Sequence, residues 1–250
     1  MHISSSLCHR LVPVAFALVL GHPLPAHSKS YPAPVPINQD FAGLTRVIDG
    51  DTIHVGDTRI RLEGIDAPES AQTCKRANGE TWACGAEATH AMRVMVEGRQ
   101  ITCRNHGLDL YGRTLATCFA DGRDIQAELV KLGLAWAYVK YSKAYVAEEA
   151  AARTAKLGIW QGEAMPAWDF RAQVWTASAE QAPAGCPIKG NVTASGHIYH
   201  MPWSPWYNKV RIEGHPEKRW FCSETEAIAA GWRPAYTHRA PNTVAAQKQE

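Results

Sequence analysis

The chain has 250 residues, enough for one sizeable domain or two modest ones. Hydrophobic residues make up 46% and charged residues 20%, which excludes a disordered polymer and implies a packed core. A formal net charge of +2 excludes a bulk polycation, so any hold on nucleic acid must come from locally placed charge.

His9 and Arg10 precede an apolar run from Leu11 to Gly21, and Ala26-His27-Ser28 offers a small-x-small cleavage site. This pattern predicts an export signal over residues 1–28, because the run is too short to span a bilayer as a helix. Pro32, Pro34 and Pro36 make residues 29–43 an extended leader. A periplasmic or secreted destination follows, with no stable membrane association once the signal is removed. If Cys8 leaves with the signal, Cys74, Cys84, Cys103, Cys118, Cys186 and Cys222 remain. An even set in an oxidising compartment should pair. Several connectivities are open, and local order favours 74–84, 103–118 and 186–222.

From Leu44 to Gly56, and again from Arg59 to Ile65, aliphatic residues alternate with polar ones around a Gly56-Asp57-Thr58 turn, as in a hairpin. Arg99 to Asn105 and Arg113 to Phe119 read as a second strand pair. Ala86 to Glu97, Asp124 to Leu132 and Ser142 to Leu157 have helical spacing, with Gly98, Gly133 and Gly158 placed to stop them. Strands first and helices interleaved late predict an α+β fold with a small, closed or nearly closed barrel.

Residues 163–185 are rich in Ala, Pro and Gln and read as a linker. A small C-terminal module is expected over 186–238. In it, Ile188 and Val192 flank a Gly190-Asn191 turn, and Ser223-Glu224-Thr225-Glu226 has capping-box form ahead of a helix ending at Gly231. Residues 239–250 lack an apolar period and read as a loose tail.

The chemistry is concentrated in Val47-Ile48-Asp49-Gly50-Asp51-Thr52, Arg61-Leu62-Glu63-Gly64-Ile65-Asp66-Ala67-Pro68-Glu69 and Tyr111-Gly112-Arg113. A phosphodiester is anionic, and its pentacoordinate transition state gathers charge on the non-bridging oxygens. Catalysis needs fixed cations there and a base for water. Arginine forks and a hard cation on carboxylates meet the first need; a further carboxylate meets the second. Asp51 and Asp66 end the two arms of the first hairpin and can reach one end of it. Arg61 is an odd number of residues from Asp66, so strict alternation puts them on opposite faces unless curvature or a bulge intervenes.

The order of these residues resembles the staphylococcal nuclease family from about Leu44 to Gln161. The resemblance implies an OB-like five-stranded β-barrel with three helices, over residues 44–162, and calcium-dependent hydrolysis of DNA and RNA that leaves 3′-phosphate ends. It places Asp51, Asp66 and the backbone carbonyl of Ala67 on calcium. Arg61, Glu69 and Arg113 fall on the catalytic residues, and Tyr111 and Tyr138 on nucleotide-contacting aromatics. Asp49 matches a nearby acidic residue. Ala67 replaces a threonine and keeps the carbonyl; Leu110 stands where the family has a phosphate-contacting lysine. A monomer is expected.

The C-terminal α/β module looks remotely like the zinc-binding fold of the Ada repair proteins. Only Cys186 and Cys222 of the four cysteines are present, so a disulfide is expected over a site with His197, His200 or His215. Trp203, Trp206, Tyr207 and Trp220 with neighbouring Lys and Arg could be a stacking surface or simply core. A non-catalytic nucleic-acid-binding module is the alternative function for the whole chain.

Overall fold

The structure, a computed structural model, describes residues 38–235. The expected export signal, the leader up to residue 37 and the tail from 239 lie outside the described residues.

β1 (Asp40–Val47), β2 (Thr52–Val55) and β3 (Thr58–Leu62) form an antiparallel meander, after which the short β4 (Ile65–Asp66) leaves the sheet. β5 (Cys74–Lys75) and β6 (Thr81–Trp82) make a small ribbon ahead of α1 (Cys84–Val96). β7 (Gln100–Leu108) and β8 (Thr114–Ala120) are the second hairpin, followed by β9 (Arg123–Asp124), α2 (Ile125–Lys131), β10 (Trp136–Ala137) and α3 (Val146–Thr154). β1 pairs with β7, and β3 pairs in parallel with β8, closing the ring β3-β2-β1-β7-β8. This is the expected five-stranded barrel with three helices.

Alternation sorts the side chains. Along β7, Ile101 and Cys103 point inward; along β8, Ala116, Cys118 and Ala120 do the same. Cys103 and Cys118 face each other in register and are bonded inside the barrel. Ile53, Ile60 and Leu62 complete the core with Ala88, Met92 and Val96, the buried i, i+4 stripe of α1. Asp124 caps α2 by accepting from Ala127 N at 3.0 Å.

The structure departs from expectation at four places. The strand expected over Leu44–Gly56 is broken at Ile48–Asp51, where the chain turns between β1 and β2. Residues 40–43, expected in the leader, belong to β1 because they complete its ladder with β7. Gly190-Asn191 is not a turn: it lies within β11 (Ile188–Thr193). A Cβ at Gly190 would meet the Trp232 ring at 2.6 Å, so the glycine is there for space.

The fourth departure matters most. The expected linker contains α4 (Ala167–Gln181). Ala167 is buried with Cys74, Cys84, Trp136 and Ile159, and Trp168 packs against that cluster. Trp175, two turns further on, packs against the module's core of Ile188, Tyr199, Phe221, Ala227 and Trp232. One helical face therefore touches both units and makes the segment a strut.

The module is a sheet of order β13-β11-β12-β14, built from β11, β12 (Gly196–His200), β13 (Arg219–Phe221) and β14 (Arg233–Pro234), with α5 (Glu224–Ala229) on it. Ser223 Oγ accepts from Glu226 N at 3.1 Å, and Glu226 reaches back to Cys222 N at 2.8 Å. The capping signal in the sequence is thus realised. Cys186 and Cys222 are bonded, as are Cys74 and Cys84. A zinc site with His197, His200 or His215 is not formed: among the described residues no group of three or more His, Cys, Asp or Glu is placed to hold a metal. No described helix is long and apolar enough to cross a membrane.

Burial, and then nearby Arg46 and Arg59, lower His54 from 6.5 to about 4; burial and then Lys189 do the same to His200. The folded value lies below the unfolded one. The stability each neutral ring contributes is therefore full above about 6.5 and is lost as pH falls towards about 4. Unfolding free energies from urea titration are expected to fall between pH 7 and pH 5, by at most about 1.4 kcal/mol per pH unit per histidine. A His54→Gln, His200→Gln double variant should flatten the profile; an unchanged slope would remove both rings from the effect.

Candidate active site

Asp49-Gly50-Asp51 forms the turn between β1 and β2. Asp49 Oδ1 accepts from Asp51 N at 3.1 Å, and Thr52 O accepts from Ile48 N and Asp49 N. A Cβ at Gly50 would come within 2.6 Å of Ala67 Cβ, so only glycine lets this turn lie flat on the segment carrying Asp66. Asp51 Oδ2 then accepts from Ala67 N at 2.8 Å.

β3 ends at Leu62, and Gly64 adopts φ +79° before β4 begins. This turn resets the side-chain alternation, so the parity conflict between Arg61 and Asp66 disappears without a bulge. β4 pairs with β10, setting Asp66 opposite Trp136. Arg61 Nη1 is ion-paired with Asp51 Oδ1, and Nη2 lies 2.7 Å from Asp66 Oδ1. The two expected metal carboxylates therefore converge on one guanidinium, and both are buried.

Glu69 follows Pro68 on a loop fastened by Gln72. Gln72 Oε1 accepts from Glu69 N at 3.2 Å, Gln72 Nε2 donates to Met165 O at 2.6 Å, and Gly85 N donates to Gln72 O at 3.1 Å. The Cys74–Cys84 bond closes the same loop onto the start of α1. Burial pushes the Glu69 carboxyl up to about 7, against the pull of Arg171 and with Asp49 adding to the rise. Burial alone would also raise Asp66, but Arg61 and Arg171 hold it below its usual range. Asp49 is raised, chiefly by burial.

Arg113 begins the run into β8 and is held by Asp109, whose Oδ2 lies 2.6 Å from Nε. The parallel register pairs Ile60 with Thr114 and Arg61 with Leu115. The inward positions are Ile60, Leu62, Thr114 and Ala116, so Arg61 and Arg113 share the outer face on adjacent strands. Arg113 is ion-paired with Asp109 rather than with the Asp51–Asp66–Glu69 cluster. Tyr111 is 40% exposed, with the Arg113 guanidinium 5.5 Å from its ring centre. Tyr138 is stacked on Trp168 of α4 at 5.4 Å and 8°, so one face of that expected nucleotide wall is already covered.

The sequence reading missed Arg171, Gln72 and Trp168. Arg171, on α4, donates to Asp66 and Glu69 at 2.8–3.0 Å. The available sign was Trp168, Arg171 and Trp175 at helical spacing after Pro166.

Comparison with known proteins decides the family. A family model described as staphylococcal nuclease homologue matches residues 59–162. A micrococcal nuclease of Shigella flexneri is 33% identical over 156 residues, covering 55% of this chain and 84% of that protein. The chain belongs to the staphylococcal nuclease family. It is also 36% identical over 136 residues to an uncharacterised endonuclease of Escherichia coli O157:H7, covering 51% of this chain and 82% of the relative. The succinoglycan biosynthesis protein ExoI of Rhizobium meliloti (strain 1021) is 36% identical over 128 residues, covering 50% of this chain and 67% of the relative. Residues 169–234 match a different model, described as ArfC. The expected likeness of the module to the Ada zinc fold is thereby corrected, in line with its bonded cysteines.

The module meets the nuclease domain beside the site. A cleft of about 90 Å³ is lined by Asp49, Arg59 and Glu69 on one side and by Met201, Trp203 and Trp206 on the other. Tyr207, by contrast, is buried and donates to Pro187 O at 2.6 Å, so the expected aromatic surface is partly core.

Opening the 74–84 bond should loosen the loop that carries Glu69. A Cys74→Ser, Cys84→Ser variant is expected to lose about 2–3 kcal/mol of stability on the chain-entropy account, and to lower kcat at temperatures where it remains folded. A folded double variant with unchanged kcat would separate the disulfide from the site.

Proposed function

We propose that the chain is an exported, calcium-dependent nuclease, a monomeric hydrolase that cuts DNA or RNA at the 5′-oxygen side. The observation that carries this reading is the convergence of Asp51, Asp66 and Arg61, with Glu69 joined to the same cluster.

The donor set suits a hard divalent cation. Asp51 and Asp66 offer only oxygen, both are buried, and a positive group already lies between them. With the Ala67 carbonyl they would hold calcium, as an exchange partner for part of the guanidinium contact. Bound there, calcium would supply charge neutralisation for the phosphate.

The protein groups then have separate tasks. Arg61 and Arg113, on one face of adjacent strands, stabilise the charge that grows on the non-bridging oxygens. Glu69, poised at about 7, takes a proton from water as its oxygen attacks phosphorus. The bond from phosphorus to the 5′ oxygen breaks, that oxygen is protonated from solvent, and a 3′-phosphate remains. Tyr111 is exposed enough to take a base, whereas Tyr138 offers only what Trp168 leaves open. Three disulfides support an oxidising destination, periplasmic or secreted.

Plasmid DNA incubated with the purified protein should be degraded with calcium and left intact with EDTA. Arg113→Ala and Glu69→Gln are each expected to lower kcat by about 10²-fold or more. Retention of DNA without cutting would favour a binding module instead.

A further inference from the structure

We infer that Arg171, supplied by α4 from outside the segment matched to the nuclease family, is a positioning residue that ties Glu69 to Asp66. The inference rests on the function proposed above.

Arg171 Nη1 lies 3.0 Å from Asp66 Oδ1 and Nη2 2.8 Å from Asp66 Oδ2, a bidentate fork. The same Nη1 lies 2.8 Å from Glu69 Oε1. One guanidinium thus spans a carboxylate assigned to the cation and the carboxylate assigned to water. Asp66 is buried and Glu69 half-buried; their carboxylates repel each other, and a planar fork shared between them fixes their separation as well as offsetting their charge.

The helix is held tightly enough for this task. Ala167, four residues before Arg171 on the same face, has no exposure. Trp168 lies against Trp136 and stacks on Tyr138. Met165, just before the helix, accepts the Gln72 hydrogen bond from the Glu69 loop. Four residues beyond Arg171, Trp175 packs on the module. The arginine is therefore fixed from both ends of its helical turn.

Removing it has two consequences of opposite sign. Each Asp66 oxygen accepts one Arg171 hydrogen bond, so loss of the guanidinium frees lone pairs and removes a like charge from the path of a cation. Glu69, meanwhile, loses the partner that aims it. Damage to the fold would weaken cation binding and turnover together, whereas loss of a positioning residue separates them.

The test is calcium titration calorimetry on substrate-free protein, paired with kcat and KM on a single-stranded oligonucleotide, for wild type, Arg171→Ala and Arg171→Lys. Arg171→Ala is expected to bind calcium about 5-fold more tightly or better, while kcat falls about 10²-fold and KM changes by less than about 3-fold. Arg171→Lys retains charge without the fork; its calcium affinity should stay within about 3-fold of wild type and its kcat should stay low. If Arg171→Ala does not fold, the lysine variant alone decides, and wild-type kcat in it overturns the inference. Unchanged kcat in Arg171→Ala, or calcium affinity and kcat falling together, also overturns it. A wild-type protein that neither binds calcium nor cuts would defeat the functional proposal itself, and the inference with it.

Discussion

Asp66 has no solvent exposure and accepts hydrogen bonds from two arginines, Arg61, five residues before it, and Arg171, 105 residues after it. A buried carboxylate survives only when its charge is met and its lone pairs are filled. Much of the local architecture follows from that requirement. The Gly64 turn brings β4 round so that Asp66 faces Arg61. Gly50 lets the preceding turn press Asp51 onto the same guanidinium. Pairing of β4 with β10 seats Trp136 under the site, and Trp168 on that tryptophan fixes the helix from which Arg171 projects.

The same network explains why the nuclease domain and the module form a connected body. Half of the apolar residues of α4 are alanines, yet its large side chains are well placed. Trp168 faces the nuclease domain, Trp175 faces the module, and Arg171 lies between them against Asp66 and Glu69. A change in how the module packs would reach the site through one turn of helix. The cleft between Glu69 and the Trp203–Trp206 wall places aromatic surface of the module next to Asp49 and Glu69.

Much of this was legible in the sequence because local chemistry dictated it. The two hairpins followed from alternation and turn residues, and the capped α5 from Ser223 and Glu226. The three disulfides followed neighbour order, since each pair closes a local loop. Residue order also brought Asp51, Arg61 and Asp66 together correctly. What escaped depended on contacts made late in the chain. Counting parity from Arg61 to Asp66 failed because Gly64 leaves the strand, a choice that alternation cannot register. α4 read as a linker because Ala, Gln and small polar residues dominate it; its helical state is stabilised by two tryptophans docking on different cores. Gly190 read as a turn residue although its role is to make room for Trp232.

In the proposed mechanism these groups direct water at phosphorus so that the 5′ oxygen departs. End-group analysis of labelled oligonucleotides, digested by the full chain with calcium, tests it most directly. The mechanism predicts products with 3′-phosphate and 5′-hydroxyl ends, formed only when calcium is present. Products carrying 5′-phosphate ends, or the same ends in EDTA, would contradict it.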